Sequence, residues 1–345
     1  MKILIFYPIK DSFTNLWEYY KNDKDIIEDI SSKFYYSNNF FSFLFLIFKV
    51  DYVYCWWWHR STLQIVIAKI LRKKVICTGA IHMFDYSGEK ESFFKKSFLY
   101  KTFCRISLFF ADANLFLSND QKRQITSHIK VNNPQIAYSS LEKSHLENYS
   151  RIKDKKNHNN ITIIASILWF TKSSMARKGL FETIDALELL KDKNFIFYII
   201  GKKDNGYNSL IAKIENLKIK NKIKILTDLS TLDKNKILET VDLYIQPSHY
   251  EGLGNAVIEA MSNGCIPIVS RFASQPEVVS EFGYIVNEIS KEEIVKKIEI
   301  YLNLSVEKKD ILKKNILDYT HKKFSYDSHL KKIKSIIENL NYKNY

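Results

Sequence analysis

At 345 residues the chain is too long for one small domain and suits two, and its 46% hydrophobic content supplies two cores and argues against disorder over most of the length. Four scattered cysteines, Cys55, Cys77, Cys104 and Cys265, form no C-x-x-C pair, which argues against a zinc site or disulfide framework and fits a reducing cytoplasm. The 52 Lys and Arg against 38 acidic residues give a formal charge of +14, which favours nucleic acid, nucleotide phosphates or an acidic membrane surface as partners, or else reflects a composition rich in Lys, Asn and Ile.

The opening stretch Lys2–Tyr7 is too short for a signal peptide and reads as a first buried strand. Further strands are predicted at Tyr52–Trp56, Lys74–Thr78 and Ala113–Leu117, with helices at Ser61–Arg72 and Glu91–Phe110. The longest apolar run in this half, Phe40 to Phe48, falls well short of the roughly 20 residues a membrane span needs, so no transmembrane segment is expected. Ser139 to Asn160 is polar and reads as a linker. A second alternating series follows. Strands are predicted at Ile161–Ile167, Phe195–Ile200, Lys222–Leu226, Leu243–Gln246 and Ile266–Ser270. Helices are predicted at Leu180–Leu190, Ser209–Leu217, Asp233–Glu239 and Asn255–Asn263, and the charged tail from Ser290 is helical. Two α/β halves joined by a linker predict a cleft between them as the ligand site.

The segment from Gln246 to Val269 carries the chemistry. A strand ends at Pro247; Gly252 and Gly254 let backbone approach a ligand; a helix then starts near Asn255. Free N–H groups and the helix dipole make that start an anion site suited to a pyrophosphate. Glu259 is four residues on and shares the face of Asn255, where it can accept from ribose hydroxyls. Glu251 precedes the helix in a loop and can hold a sugar hydroxyl, and Gly264 stops the helix. Upstream, Lys172, Arg177 and Lys178 follow a strand in what reads as a basic loop before Gly179, which can set positive charge over phosphates.

Glu251 and Glu259, with Gly252, Gly254 and Gly264 in fixed order, resemble the E-x7-E signature of retaining GT-B glycosyltransferases, family 4 in particular. The resemblance implies two Rossmann-like α/β/α domains facing a central cleft: residues 1–145 for the acceptor and 146–324 for the nucleotide-sugar donor. A C-terminal helix over about 325–345 would pack back on the first. It implies that Glu259 binds the donor ribose, that Glu251 contacts the transferred sugar, and that backbone around Gly252, Leu253, Gly254 and Asn255 meets the pyrophosphate. Lys178 matches the family's Lys-Gly, and Lys172 or Arg177 supplies the second cation in place of the usual Gly-Arg pair. Weaker matches are Ile199-Ile200-Gly201, the strand–Gly turn of the donor domain; Ala111-Asp112-Ala113 with Ser118; and Pro276-Glu277-Val278-Val279. His82 stands where the family often has a histidine facing the reacting sugar. Lys10-Asp11-Ser12-Phe13 replaces the family's Gly-Gly loop.

Asp23-Lys24-Asp25 has the Asp-x-Asp form of metal-dependent glycosyltransferases but no apolar run before it. It is read as solvent-exposed, and neither metal nor other cofactor is expected. Phe40, Phe41, Phe43, Phe45, Phe48, Trp56, Trp57 and Trp58 gather in the N-terminal half. Phe93, Phe94 and Phe98 lie among Lys90, Lys95, Lys96 and Lys101; these aromatics read as core and helix surface or, as a functional option, as an anionic membrane interface, which suits the mixture better than single-stranded nucleic acid. The expected activity is hexosyl or N-acetylhexosaminyl transfer from a nucleotide sugar to a glycan or lipid-linked glycan, in cell-surface polysaccharide synthesis, in the cytoplasm or on the inner face of the membrane. The alternatives are a sugar-nucleotide epimerase of the same fold and a non-enzymatic basic binding protein.

Overall fold

A computed structural model describes residues 1–9, 18–81, 83, 92–143, 149, 152 and 161–342. The chain divides into two compact units, Met1–Lys143 with Phe324–Tyr345, and Ser144–Lys323. His82, the segment Lys10–Phe13, Lys90 and the basic run Lys153–Asn160 lie outside the described residues.

In the first unit six strands run parallel: β1 (Lys2–Phe6), β2 (Lys33–Ser37), β3 (Tyr52–Trp56), β4 (Lys74–Thr78), β5 (Ala113–Phe116) and β6 (Pro134–Ile136), in the order β2-β1-β3-β4-β5-β6. Side chains alternate across a strand, so β1 sends Leu4 and Phe6 to one core and Ile3 and Ile5 to another, which Tyr7 joins just past the end of the strand. Tyr20, Ile26 and Ile27 of α1 (Glu18–Ile30) cover the Ile3 side, together with Ile333, Ile336, Ile337 and Leu340 of the C-terminal helix Tyr326–Tyr342. Helices α2 (Phe40–Leu46), α3 (Thr62–Ile70), α4 (Phe98–Phe110) and α5 (Asn119–Thr126) pack on the Leu4 side, through Phe43, Ile65, Ala68, Cys104, Leu108 and Ile125. Full burial of such a side chain contributes roughly 1.5–3 kcal/mol, which is why both faces of the sheet are apolar.

Two expectations for this unit need correction, and the reading of its aromatics divides residue by residue. The span Glu91–Phe110 is not one helix: a short 3-10 turn at Phe93–Lys95 precedes α4, whose N-cap Ser97 accepts from the Tyr100 N–H. Phe93, Phe43, Trp56 and Trp58 are core residues, so only part of the aromatic set is at the surface. Asp23 is buried rather than solvent-exposed. It accepts from Tyr54 Oη at 2.7 Å and Trp56 Nε1 at 2.9 Å, and His329 Nε2 of the C-terminal helix lies 3.0 Å from it. A buried carboxylate needs such partners, and here they occupy the group that the Asp-x-Asp reading would give to a metal.

The second unit repeats the layering. Strands β7 (Thr162–Trp169), β8 (Phe195–Lys202), β9 (Ile223–Thr227), β10 (Leu243–Gln246), β11 (Ile266–Ser270) and β12 (Tyr284–Val286) form a parallel sheet in the order β12-β11-β10-β7-β8-β9. β10 and β7 are adjacent and parallel at the centre of the sheet, so the segments that follow them meet at the C-terminal ends of the strands. The segment after β7 is not a loop: Thr171 accepts from the Ser174 N–H and caps a six-residue helix, α6 (Lys172–Arg177). Gly179, at φ 68°, then turns the chain into α7 (Leu180–Leu189), and α8 (Tyr207–Glu215) follows β8. Gly201 is a strand residue of β8, where an added Cβ would lie 1.8 Å from the Leu168 carbonyl oxygen; close packing of β8 on β7 requires glycine there.

Candidate functional site

The ends of β7 and β10 bring the two motifs together. The His249 N–H donates to the Arg177 carbonyl at 2.8 Å, and a Cβ on Gly179 would lie 2.7 Å from the Pro247 carbonyl oxygen. This close approach sets Arg177 and Lys178 against the loop that holds Glu251. Arg177 Nη1 lies 2.8 Å from Glu251 Oε1 and donates to the Tyr250 carbonyl at 2.8 Å. Lys178 Nζ donates to the Ile167 carbonyl at 3.0 Å and to Gln246 Oε1 at 3.2 Å, and stands 3.9 Å from Glu251 Oε1.

Glu251 is therefore not a surface glutamate. Its side chain is 13% exposed and accepts further hydrogen bonds from Gln246 Nε2 at 3.1 Å and Ser248 Oγ at 3.3 Å. Burial pushes its carboxyl up, but the charges of Arg177 and Lys178 outweigh that and hold it below the usual glutamate range. Burial pulls the Lys178 ammonium down, opposed by Glu251. All these contacts converge on Oε1; among the described residues Oε2 accepts none, which leaves it able to take a ligand hydroxyl. Lys172, at the exposed start of α6, joins none of these contacts; its backbone N–H donates to Asn205 Oδ1 at 3.1 Å, and among the described residues its ammonium makes no ion pair. Of the two candidates for the second cation, Arg177 is the one beside Lys178.

The loop then enters α10 (Asn255–Ser262) through Gly254, whose φ of 91° is left-handed and suits glycine. Leu253 points into the core, so only its backbone can face a ligand; Gly252 is half-buried beside Glu251. The Val257 and Ile258 N–H groups bond to the Gly254 carbonyl. Those of Asn255 and Ala256 find no acceptor among the described residues, and Asn255 Oδ1 is a buried acceptor without a donor. Open amides at a helix start favour an anion. One turn on, Glu259 Oε2 accepts from Lys234 Nζ at 2.8 Å. Lys234, on α9 (Thr231–Leu238), went unmarked in the sequence: it is 25 residues from Glu259, and no local periodicity links the two. Gln246 and Ser248 also went unassigned, although they buttress Glu251.

This arrangement of anion-ready amides, two adjacent cations and two carboxylates lies within residues 148–318, which match the family described as Glycosyl transferases group 1; the second unit carries a domain of that family. The GDP-mannose:cellobiosyl-diphosphopolyprenol alpha-mannosyltransferase of Xanthomonas oryzae is 29% identical over 121 residues, 34% of this chain. The match spans about a third (32%) of that relative's length. Crystal structures show the whole fold. HepE of Anabaena, solved with UDP, superposes with a TM-score of 0.76 at 14% identity, over 98% of this chain and 100% of that one. The sucrose-phosphate synthase of Thermosynechococcus elongatus gives 0.75 at 11% identity, over 99% and 100%. The architecture is thus GT-B, two parallel six-stranded α/β units.

Proposed function

We propose that the protein transfers a glycosyl group from a nucleoside-diphosphate sugar, bound by the second unit, to a glycan or lipid-linked glycan acceptor at the inner face of the membrane, as part of cell-surface polysaccharide synthesis. The observation that carries this reading is the pair of open amides at the start of α10, in the helix that follows the same loop as Glu251, which Arg177 and Lys178 face at the C-terminal ends of β7 and β10. The donor's anomeric C–O bond breaks, and its electron pair leaves with the diphosphate. The acceptor hydroxyl oxygen bonds to that carbon and its proton passes to the departing diphosphate. Arg177, Lys178 and the helix start stabilise the charge that develops on the diphosphate, Glu259 accepts from the ribose, and Glu251 Oε2 from the sugar. The resemblance to family 4 favours net retention at the anomeric carbon. A lipid-linked acceptor is supported by the name of the Xanthomonas relative.

Thermal shift against UDP, GDP, ADP and their sugars tests the donor site, because a ligand that binds only the folded state raises Tm. One nucleotide family is expected to stabilise the wild type and, at the same concentration, to stabilise Glu259→Gln less. No stabilisation by any of them, with no transfer to a lipid-linked glycan, would refute the reading.

A further inference from the structure

We propose that α2, α3 and α4 form a docking surface for an anionic lipid bilayer. The three helices pack on one core, and each turns an apolar stripe away from it. On α2 and the turn after it the stripe is Phe41, Phe45 and Phe48, opposite buried Phe43 and Ile47. On α3 it is Leu63 and Ile70, opposite Ile65 and Ala68; on α4 it is Leu99, Phe103 and Phe110, opposite Cys104 and Leu108. These outward residues are between 43% (Phe103) and 81% (Phe41) exposed. Each set repeats at i, i+4, i+7 or i+11, so each forms a single line along its helix. Three apolar lines on one helical layer are far more than the scattered hydrophobic residues of an ordinary surface.

Charge selects the occupant. Residues 40–50, 61–73 and 92–110 contain eight basic residues, Lys49, Lys69, Arg72, Lys73, Lys95, Lys96, Lys101 and Arg105, and no acidic one. Lys69 is engaged by Asp112 at 2.7 Å, and Lys49 stands 4.0 Å over the Phe45 ring, joining cation to apolar stripe. A second copy of the chain, docked by two-fold symmetry, would set this basic surface against itself. Nucleic acid would satisfy the cations, but the aliphatic Leu63, Ile70 and Leu99 offer bases nothing to stack on. An anionic bilayer satisfies both features: headgroups take the lysines and arginines other than Lys69, and the acyl boundary takes the aromatic and aliphatic lines. The surface extends and corrects the aromatic–basic segment singled out in the sequence, since Phe93 is core and the α2 and α3 lines join it. The proposal uses no residue of the donor site and stands or falls independently of it.

The test uses the full chain carrying Phe45→Cys labelled with an environment-sensitive dye; the four native cysteines are buried. Vesicles of phosphatidylglycerol and phosphatidylcholine should sediment the protein at low salt and shift the dye to the blue, and phosphatidylcholine alone should do neither. Binding should fall about tenfold or more in high salt, which screens exposed charge, and in Lys95→Glu/Lys101→Glu. Phe41→Ser/Phe48→Ser should lose it while keeping the wild-type Tm and nucleotide response. Equal binding to neutral vesicles, no binding to either, or wild-type binding by both variants overturns the proposal. So does a dimer in light scattering that Phe103→Glu dissociates, or a blue shift produced by single-stranded RNA instead of lipid.

Discussion

Lys234 Nζ sits 2.8 Å from Glu259 Oε2, with the two side chains only 18% and 15% exposed. The pair joins α9 to α10 one turn beyond the open amides. It holds one oxygen of Glu259, and Oε1 accepts no hydrogen bond among the described residues. Glu259→Gln keeps the shape and loses charge-assisted bonds to the ribose, each worth roughly 1.5–3 kcal/mol. Nucleoside-diphosphate affinity should fall about ten- to a hundredfold by calorimetry. Lys234→Met should weaken it less, because it frees the carboxylate without removing it; an unchanged affinity in both variants would place the ribose elsewhere.

Glu251 should behave differently. Removing its charge takes away the carboxylate that faces Arg177 and Lys178 in a partly buried cluster, so Glu251→Gln should cost about 3 kcal/mol of stability, the lower end for breaking a buried pair, since Gln still accepts a hydrogen bond. Transfer should slow, while bare-nucleotide affinity changes by less than in Glu259→Gln. If calorimetry shows equal losses in the two variants, the division of roles is wrong.

The same group sets a pH dependence. Its folded pKa lies below its unfolded one. Its stabilisation is therefore fully present above the ordinary glutamate value near ~4.3 and is lost as pH falls through the lower folded value. Melting curves from neutral to acid pH should show wild type losing more Tm than Glu251→Gln over that window. Parallel curves would remove Glu251 from the account.

Turnover should survive EDTA, because Arg177, Lys178 and the start of α10 are proposed to meet the leaving diphosphate's charge. Activity abolished by the chelator and restored by magnesium or manganese would show that these groups do not suffice.

Gly201→Ala should be among the most damaging single substitutions in the second unit. The new methyl would lie 1.8 Å from the Leu168 carbonyl oxygen, so β7 and β8 must part. Overpacking usually costs 1–3 kcal/mol; a clash with backbone should cost at least about 3 kcal/mol. A Tm within two degrees of wild type would refute this packing role.

Several of these side chains were legible in the sequence because local chemistry marks them. Gly252, Gly254 and the four-residue spacing of Asn255 and Glu259 announce a strand–loop–helix anion site without any tertiary information. Strands β3, β4, β10 and β11 were legible as short apolar runs between helices. What escaped were elements whose signal is too short or too polar. β6 and β12 have three residues each, and β2 is Lys-Phe-Tyr-Tyr-Ser at a sheet edge, where one side needs no burial. Asp23 was misplaced because the inward face of α1 is itself partly polar, with Asn22 and Asp23 beside Ile26 and Ile27. Its partners Tyr54, Trp56 and His329 are distant in sequence, and only the fold brings them together.

The contact between His329 and Asp23 bears on how the protein is made. The helix Tyr326–Tyr342 supplies Ile333, Ile336, Ile337 and Leu340 to the core on one face of the first sheet. During synthesis that sheet emerges early, yet one of its faces lacks these residues until Phe324–Tyr342 has cleared the ribosome. The second unit, by contrast, takes all its strands from the uninterrupted stretch before Lys323. The first unit is thus completed only after the second has been made, and until then its apolar sheet face, with Asp23 short of one partner, is open to chaperones or to aggregation.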